Sequence, residues 1–298
     1  MPAEGVTFLP SSALLTADQI ERVVRVAVGL GVTHVKLTGG EPTVRRDLVD
    51  IVTRLRAIDG IELSMTTNGL RLATVARTLR DAGLDRVTVS VDSWRDDRYA
   101  EITGGGRLSQ LRHGLDVADE VFGGLKLNVV VMRDVNDDEI GDFARLAVER
   151  DWSVRFIEFM PLGRSVLADR DASDALVEAT EIEAAVVEAI GPLRPIEGRE
   201  PGIGPARAFG TAAGRGRIGF IHAMSRPFCE SCNRLRLDAT GVLRSCLFDG
   251  GEVDLKPLLD AAITPDDGRW RSTFAGCTAM KPVVHSDRGG RAMSSIGG

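Results

Sequence analysis

The stretch VTHVKLTGGEP, residues 32–42, decides the fold that this sequence predicts. Its first part, Val32–Thr38, is rich in β-branched residues and predicts a strand, and the glycines and proline after it predict a turn. A helical pattern follows at Arg45–Ile58. Strand, turn and helix in this order form a βα unit. The glycines also let the backbone approach a ligand closely, and Glu41 offers an acceptor for an amine, although a plain strand-to-helix turn explains the stretch as well.

Units of this kind recur along the first half of the chain. The predicted strands are Val32–Thr38, Ile61–Thr67, Arg86–Val91, Lys126–Met132 and Val154–Met160. The predicted helices are Ala17–Leu30, Arg45–Ile58, Thr74–Leu84, Leu108–Phe122, Asp137–Arg150 and a segment near Glu181–Ile190. Asn136 is the predicted N-cap of the fifth helix, and the acidic run Asp134–Glu139 is predicted to be its solvated entry. Repeated βα units build a parallel sheet, so the fold class is α/β, an incomplete (β/α) TIM-like barrel.

Alternate positions of these strands are polar, whereas a parallel sheet covered on both faces is almost continuously apolar. The polar sets are His34/Lys36/Thr38, Ser64/Thr66/Asn68, Thr88/Ser90/Asp92, Lys126/Asn128 and Glu158. The intervening positions, which include Val35, Leu37, Val87, Val89, Leu127 and Val129, are expected to pack under the helices. We therefore expect a ligand-lined interior, with an open sheet that has one solvated face as the alternative.

The pattern becomes irregular after a linker or boundary near Gly163–Ser173. We expect residues 1–168 to form the partial barrel and residues 169–298 to form an irregular C-terminal iron–sulfur region. A nominal G-x-G-x-x-G at Gly214, Gly216 and Gly219 runs into a strand-like segment instead of opening a helix, so it does not predict a dinucleotide site.

Composition excludes several classes of protein. The 298 residues, 43% of them hydrophobic, predict a globular protein with a sizeable core. A formal net charge of −6 argues against nucleic-acid binding, because phosphate contacts need a basic surface. There is no apolar run of about 18 residues and no signal-peptide pattern at the start, so we expect a cytoplasmic protein that does not bind membranes.

Three of the four cysteines lie close together as Cys229, Cys232 and Cys246. Clustered thiols in a long chain indicate a metal site more than a disulfide framework. A structural zinc site has four ligands and so does an ordinary iron–sulfur cluster, so three thiolates leave one position open, unless Cys277 or His285 completes the site.

Several segments together resemble the GTP 3′,8-cyclase family, whose members are radical S-adenosylmethionine enzymes that begin molybdenum cofactor synthesis. They are Thr38–Pro42, Thr66–Gly69, Ser90–Ser93, Lys126–Asn128, Phe156–Met160, the motif Cys229-x2-Cys232-Asn-Arg234-Leu235-Arg236 and the terminal Ile296-Gly297-Gly298. The match runs in order along nearly the whole chain.

The resemblance implies a role for each matching position. Gly39, Gly40, Glu41, Ser90 and Met160 would bind S-adenosylmethionine, and Lys36, Thr66, Lys126, Arg234, Leu235 and Arg236 would bind GTP. Cys229, Cys232 and Cys246 would hold a 4Fe–4S cluster with one iron free for the guanine, and Arg234, Arg236, Gly297 and Gly298 would support catalysis. The implied reaction converts GTP into (8S)-3′,8-cyclo-7,8-dihydroguanosine 5′-triphosphate by means of a 5′-deoxyadenosyl radical.

The chain departs from the family at its beginning. The family holds a second 4Fe–4S cluster with a Cys-x3-Cys-x2-Cys loop after the first barrel strand, and no cysteine precedes Cys229 here. We expect the first strand to be missing, from a misplaced start or a lost loop, and the truncated chain to be inactive. The strand at Val32–Thr38 would then be an unpaired edge.

The family implies partners beyond GTP. These are an electron donor and a downstream cyclic pyranopterin monophosphate synthase that receives the product; a homodimer is a further possibility. Two other functions stay open from the residues alone, a non-catalytic GTP-binding or zinc-binding relative and a radical peptide-modifying enzyme.

Overall fold

The computed structural model describes residues 9–162, 172–196, 205–212, 214–261 and 263–286. Its strands are β1 (His34–Leu37), β2 (Glu62–Thr67), β3 (Arg86–Ser90), β4 (Lys126–Val131), β5 (Ser153–Glu158), β6 (Arg194–Pro195), β7 (Arg207–Gly210), β8 (Arg217–Ile221), β9 (Arg236–Leu237), β10 (Val242–Arg244) and β11 (Glu252–Asp254). The five strands predicted from the sequence are thus confirmed, each within two residues at its ends.

Helices follow the first strands in the predicted alternation. They are α1 (Ala17–Gly29), α2 (Leu48–Arg56), α3 (Leu72–Asp81), α4 (Asp96–Thr103), α5 (Leu108–Phe122), α6 (Ile140–Arg150), α7 (Ala172–Ala175), α8 (Ala179–Ile190), α9 (Lys256–Asp260) and α10 (Gly268–Ala279). Short 3₁₀ turns lie at Ser11–Ala13, Pro42–Val44, Asp137–Glu139 and Cys229–Ser231. Sequence patterning did not identify α4.

The main sheet has eight strands in the order β1-β2-β3-β4-β5-β8-β7-β6. Strands β1 to β5 and β8 are parallel, and β7 and β6 continue the sheet in antiparallel pairing. Within the described part of the chain, β1 pairs with β2 alone and is an edge strand, as the sequence predicted. The α/β class is confirmed. The sheet is open, because β1 and β6 do not pair.

The alternation along the strands sorts the side chains as predicted. Leu63, Met65, Val89 and Leu127 are fully buried in the large hydrophobic core that the sheet forms with its helices. The positions between them, such as Ser64, Thr66, Lys126 and Asn128, are half-buried. The opposite face of the sheet is therefore a polar surface that is still reached by water, and the ligand site is expected there.

Two polar residues before α6 have partners that the sequence did not predict. Asn136 lies at the predicted N-cap position, before the 3₁₀ turn Asp137–Glu139, but its side chain makes no capping bond. It accepts from Met132 N at 2.8 Å and donates to Val130 O at 2.8 Å. Glu139 is fully buried, not solvated. Its carboxylate accepts from Ser93 Oγ and Trp94 N. Both side chains fasten the β3–α4 and β4–α6 connections, because a buried polar group must find partners wherever the fold provides them.

A second, smaller core joins the C-terminal region to the back of α1. It consists of Leu15, Val23, Val26, Leu243, Leu255, Leu259, Trp270, Phe274 and Cys277. Strands β9, β10 and β11 form a separate antiparallel sheet beside it. The expected division at residues 168 and 169 lies outside the described residues, and strands from both predicted regions share the main sheet, so the division stays a prediction.

A helix that spans a membrane must be long and largely apolar. In the part of the chain that the structure describes, no helix is both long and apolar enough to span one.

Candidate nucleotide and cluster site

The turn after β1 owes its shape to glycine. Gly39 has a φ of +124°, a conformation that side chains other than glycine rarely adopt. No atom lies within 4 Å of the position that a Cβ would take on Gly39 or Gly40, so both border open space at the end of the strand. This is the accessible backbone that the sequence predicted for ligand binding.

Glu41 is already occupied by protein partners. Its carboxylate accepts hydrogen bonds from Thr43 N at 2.9 Å, from Thr67 Oγ1 at 2.8 Å and from Asn68 N at 2.7 Å. These bonds tie the turn after β1 to the end of β2. The geometry gives Glu41 a role in positioning the glycines, and its binding of a ligand amine stays a prediction.

The other positions predicted for S-adenosylmethionine lie at the same edge of the sheet. Ser90 is the last residue of β3 and is exposed, and Met160 follows β5 by two residues and is half-buried. Carboxyl ends of parallel strands meet at one edge, where α/β proteins place their ligands. The structure thus brings Gly40, Ser90 and Met160 to one edge of the sheet, and their binding of a ligand stays a prediction.

Five cations converge on the polar face. Lys36 lies on β1, and the charges that act on it belong to Arg155 on β5, Lys126 on β4, and Arg234 and Arg236 near β9. Desolvation, followed by these four positive charges, lowers the pKa of Lys36 to about 8. Its side chain is nevertheless exposed to solvent. A cluster of this kind is a site for a polyanion.

Arg236 connects the cations to the cysteines. Burial, followed by the charge of Arg234, lowers the pKa of Arg236 to about 10, whereas Cys232 and Cys246 raise it. Arg236 is therefore close to both sulfurs, and it also contributes to the field on Lys36. Arg236 is thus coupled electrostatically both to two of the predicted cluster ligands and to Lys36, a predicted phosphate ligand.

Arg155 is a site residue that the sequence analysis missed. It is only 4% exposed, in the middle of β5, with Asn128 and Gly219 as its register neighbours on either side. A Cβ on Gly219 would lie 3.0 Å from Arg155 Cγ, so the glycine leaves room for the arginine. The sequence did contain a signal for this residue. It is an arginine inside an otherwise apolar strand, together with a glycine-containing strand elsewhere in the sequence.

The remaining predicted residues occupy varied positions. Thr66 is half-buried on β2, beside Thr88 on β3. Leu235 packs against the second core, so its side chain has a structural role. Gly297 and Gly298 lie outside the described residues, so their catalytic role stays a prediction.

The three clustered cysteines are half-buried free thiols. Cys229 begins a 3₁₀ turn that closes with a bond from Cys232 N to Cys229 O at 3.1 Å, and Cys246 follows β10. Burial raises the pKa of the Cys232 thiol, but a backbone bond from Arg234 and the charges of Arg234 and Lys281 outweigh it and lower the pKa overall. Thiolate, the form that binds iron or zinc, is thereby favoured.

Cys277 does not belong to this group. It is fully buried in the second core, and its thiol lies 3.6 Å from Leu243 O and 3.8 Å from Gly251 O. Burial raises the pKa of Cys277, so the neutral thiol is favoured. The alternative in which Cys277 completes a closed metal site is therefore not supported by its geometry.

His285, the other proposed fourth ligand, is also engaged. Its ring stacks on Phe248 at a centroid distance of 4.1 Å. Nε2 lies 2.8 Å from Ala223 O and Nδ1 lies 2.7 Å from Ser286 O. Both ring nitrogens thus face carbonyl acceptors, and neither has a lone pair directed at the cysteines.

The three cysteines have the donor chemistry that a thiolate-bound cluster needs. Among the residues described, no three His, Cys, Asp or Glu side chains form a group that could hold a single metal ion. Ligands of a four-iron cluster bind different irons and stand farther apart than ligands of one ion. Three half-buried thiols beside cations are suitable donors, and their joint ligation stays a prediction.

Comparison with known proteins places both halves of the chain. Residues 5–147 match the Radical SAM superfamily, and residues 152–286 match the family described as Molybdenum Cofactor Synthesis C.

Full-length relatives agree with this assignment. A protein named GTP 3′,8-cyclase from Pelotomaculum thermopropionicum is 44% identical over 100% of this chain and 92% of its own length. A protein of the same name from Moorella thermoacetica is 42% identical over the same shares. Among solved structures, methylornithine synthase overlaps with a TM-score of 0.47 and 16% identity over 59% of this chain and 53% of that one, which adds nothing to the assignment.

Proposed function

Because the chain belongs to the GTP 3′,8-cyclase family of radical S-adenosylmethionine enzymes, we propose that it binds GTP on the polar face of its main sheet. Together with the second cluster that the family uses, it would convert GTP into the 3′,8-cyclised triphosphate of molybdenum cofactor synthesis. The observation that carries the proposal is the convergence of Lys36, Lys126, Arg155, Arg234 and Arg236. A protein with a formal net charge of −6 concentrates cations in this way where it must hold an anion.

The cations are expected to have different roles in binding the nucleotide. Lys36, Lys126 and Arg155 lie on strands and can neutralise phosphate oxygens through charge-assisted hydrogen bonds. Arg236 is coupled electrostatically both to Lys36 and to the sulfurs of Cys232 and Cys246. A nucleotide whose phosphates bind the cations would therefore direct its base or ribose toward the cysteines, which is the orientation that cyclisation at C8 requires.

The cofactors would bind on either side of GTP. Cys229, Cys232 and Cys246 would hold a 4Fe–4S cluster, and Gly40, Ser90 and Met160 would contact S-adenosylmethionine. When bound, S-adenosylmethionine with a reduced cluster supplies the 5′-deoxyadenosyl radical that removes the C3′ hydrogen of GTP. The chain's own residues would fix the distance and angle between the reactants. Cys229, Cys232 and Cys246 provide ligands for one cluster, and the second cluster stays a prediction.

Replacement of Arg155 by Met tests the nucleotide site. Met keeps most of the buried side-chain volume but removes the charge and its donors. A hydrogen bond to a charged group is worth about 1.5–3 kcal/mol, so we expect GTP affinity to fall roughly 10- to 100-fold, measured by isothermal titration calorimetry. Circular dichroism and thermal unfolding report whether the variant is folded.

Arg207→Met is the control. Arg207 is an exposed arginine on β7 whose guanidinium lies 3.8 Å from Glu183 on α8, so it belongs to the helix side of the sheet and not to the polar face. It should bind GTP as the unaltered protein does. Equal affinity in a folded Arg155→Met variant would remove the cation cluster from the proposal and favour a radical peptide-modifying enzyme, while GTP binding with zinc and no iron would favour a non-catalytic relative.

Several finer points stay predictions. They are the electron donor, product transfer to a cyclic pyranopterin monophosphate synthase, a homodimer and a cytoplasmic location.

A further inference from the structure

Lys281 lies two residues after the end of α10 and contacts the segment that carries the cysteines. Its Nζ is 2.7 Å from Ser245 O, 2.9 Å from Arg234 O and 3.4 Å from Cys232 Sγ. A lysine ammonium has three donors, and here each of them has an acceptor. Two of those acceptors belong to the segment that carries Cys232, and the third belongs to the residue before Cys246.

The surrounding structure is built to bring Lys281 this close. Gly250, with a φ of +110°, has no Cβ, and one placed there would lie 3.2 Å from Cys246 Cβ and 3.3 Å from Pro282 Cδ. A Cβ on Gly251 would collide with the Met280 side chain. Ser245 N donates to Gly251 O at 3.2 Å, and Ser245 Oγ accepts from Gly251 N at 3.1 Å. The glycines let the end of α10 pack directly on the Cys246 loop.

The contacts of Lys281 affect the charge on the cysteine sulfur as well as the packing of the cysteine segment. An ammonium donating to a thiolate sulfur stabilises negative charge on it, and hydrogen bonds to the sulfurs are among the factors that set the reduction potential of an iron–sulfur cluster. Replacing an outer residue that orients a metal ligand typically lowers metal affinity or activity by about 10- to 100-fold.

We propose that Lys281 is the positioning residue of the three-cysteine site, holding the Cys232 and Cys246 segments together and raising the reduction potential of the bound cluster through its bond to Cys232 Sγ. The inference rests on the proposed cluster at Cys229, Cys232 and Cys246. It assigns a function to a residue outside the cysteine and arginine motif.

The test compares the reconstituted protein with its Lys281→Met variant under anaerobic conditions. All cluster iron belongs to one site, since no cysteine precedes Cys229 and Cys277 is buried. We expect the variant to lose iron to a chelator about 10-fold faster or more, as for other residues that orient metal ligands. We also expect the ratio of reduced to oxidised cluster at a fixed potential to fall about tenfold, which corresponds to 59 mV for one electron.

Lys256→Met and Lys281→Arg are the controls. Lys256 is also half-buried, and its Nζ donates to Ala13 O at 3.3 Å, away from the cysteines. Its variant should match the unaltered protein in both measurements, and Lys281→Arg should restore the potential because it keeps the cation. A Lys281→Met variant with unchanged iron loss, or with faster loss but an unchanged potential, would overturn the inference. Failure of the unaltered protein to take up iron would instead overturn the proposed cluster.

Discussion

Lys36 is held among four other cations in the nucleotide-free protein, and its pKa of about 8 reflects their repulsion as well as desolvation. A bound triphosphate reverses this situation, because negative charge next to an ammonium favours the protonated form. The pKa of Lys36 must therefore rise when the anion binds, and GTP binding must take up a proton at pH values near and above 8. Proton linkage at this residue is a direct sign of the phosphate site.

GTP affinity is expected to depend on pH through Lys36. Below about pH 7 the lysine is already charged and contributes no pH dependence. As the pH rises through 8, affinity should fall by up to tenfold per pH unit, since the ammonium must be restored before the anion binds. Calorimetry between pH 7 and 9.5 measures the effect, and a Lys36→Met variant separates it from titration of the nucleotide itself. Identical pH profiles for the two proteins would exclude this role of Lys36.

The four cysteines are expected to fall into two classes. Replacing Cys229, Cys232 or Cys246 by Ser should abolish most iron binding in the reconstituted protein, measured by elemental analysis, with little change in the stability of the iron-free form. Cys277→Ser should retain the iron but lower the free energy of unfolding by about 1 kcal/mol, because the second core loses a well-packed sulfur. Loss of iron in the Cys277 variant alone would reverse the assignment of the ligands.

At the scale of secondary-structure elements, the turn after β1 depends on a single carboxylate. Glu41 accepts from the backbone of its own turn and from the end of β2, so it joins two neighbouring βα connections. The glycines that border the open space therefore have a fixed position without packing of their own. This arrangement explains why an acidic residue follows the glycine pair.

Glu41→Gln is expected to loosen this connection. One carboxylate oxygen becomes an amide donor that faces N–H groups, and a buried mismatch of this kind costs about 1–3 kcal/mol. Urea unfolding should show that loss, and calorimetry should show weaker binding of S-adenosylmethionine. Glu101→Gln, on the exposed side of α4, should change neither quantity. A stable Glu41 variant with weakened ligand binding would instead indicate direct contact between Glu41 and the ligand.

Sequence periodicity predicted the first five strands and most helices of the first 190 residues, but it did not identify α10, although Trp270, Phe274 and Cys277 of that helix are buried. The strands were found because β-branched residues alternate with polar ones, and α5 was found at its observed bounds. Helix α4 was missed because Tyr99 is its only buried residue, so it has no apolar stripe to detect. The hydrogen-bond partners of the Asn136 and Glu139 side chains were not predicted for a different reason. Partners on other connections of the fold cannot be deduced from local sequence.

The candidate site was predictable to a similar extent. The cysteine motif and the cations on β1 and β4 were visible in the sequence. Arg155 was not recognised, because a charged residue in an apolar strand acquires meaning only when strand register places it on the polar face that also carries Lys126. Lys281 was also missed, since its contact with Cys232 spans 49 positions of the sequence.

At the scale of the whole molecule, two cores bring the chemistry together. The larger core supports the main sheet, whose polar face carries Lys36, Lys126 and Arg155, and the smaller core supports the cysteine segment. Helix α1 contributes to both, since Val24 belongs to the first and Val23 and Val26 belong to the second. The two cores thus support the two groups with which Arg236 interacts electrostatically, the cysteines and Lys36.

The central claim is that a three-thiolate cluster and the cation cluster bind one nucleotide between them. Electron paramagnetic resonance of the anaerobically reconstituted and reduced protein, titrated with GTP, tests it most directly. We expect the cluster signal to change until one GTP is bound per chain. Inorganic triphosphate should leave the signal unchanged, because it binds the cation cluster but has no base. A protein that binds GTP without any change in its cluster signal, or that contains zinc and no iron, would contradict the account.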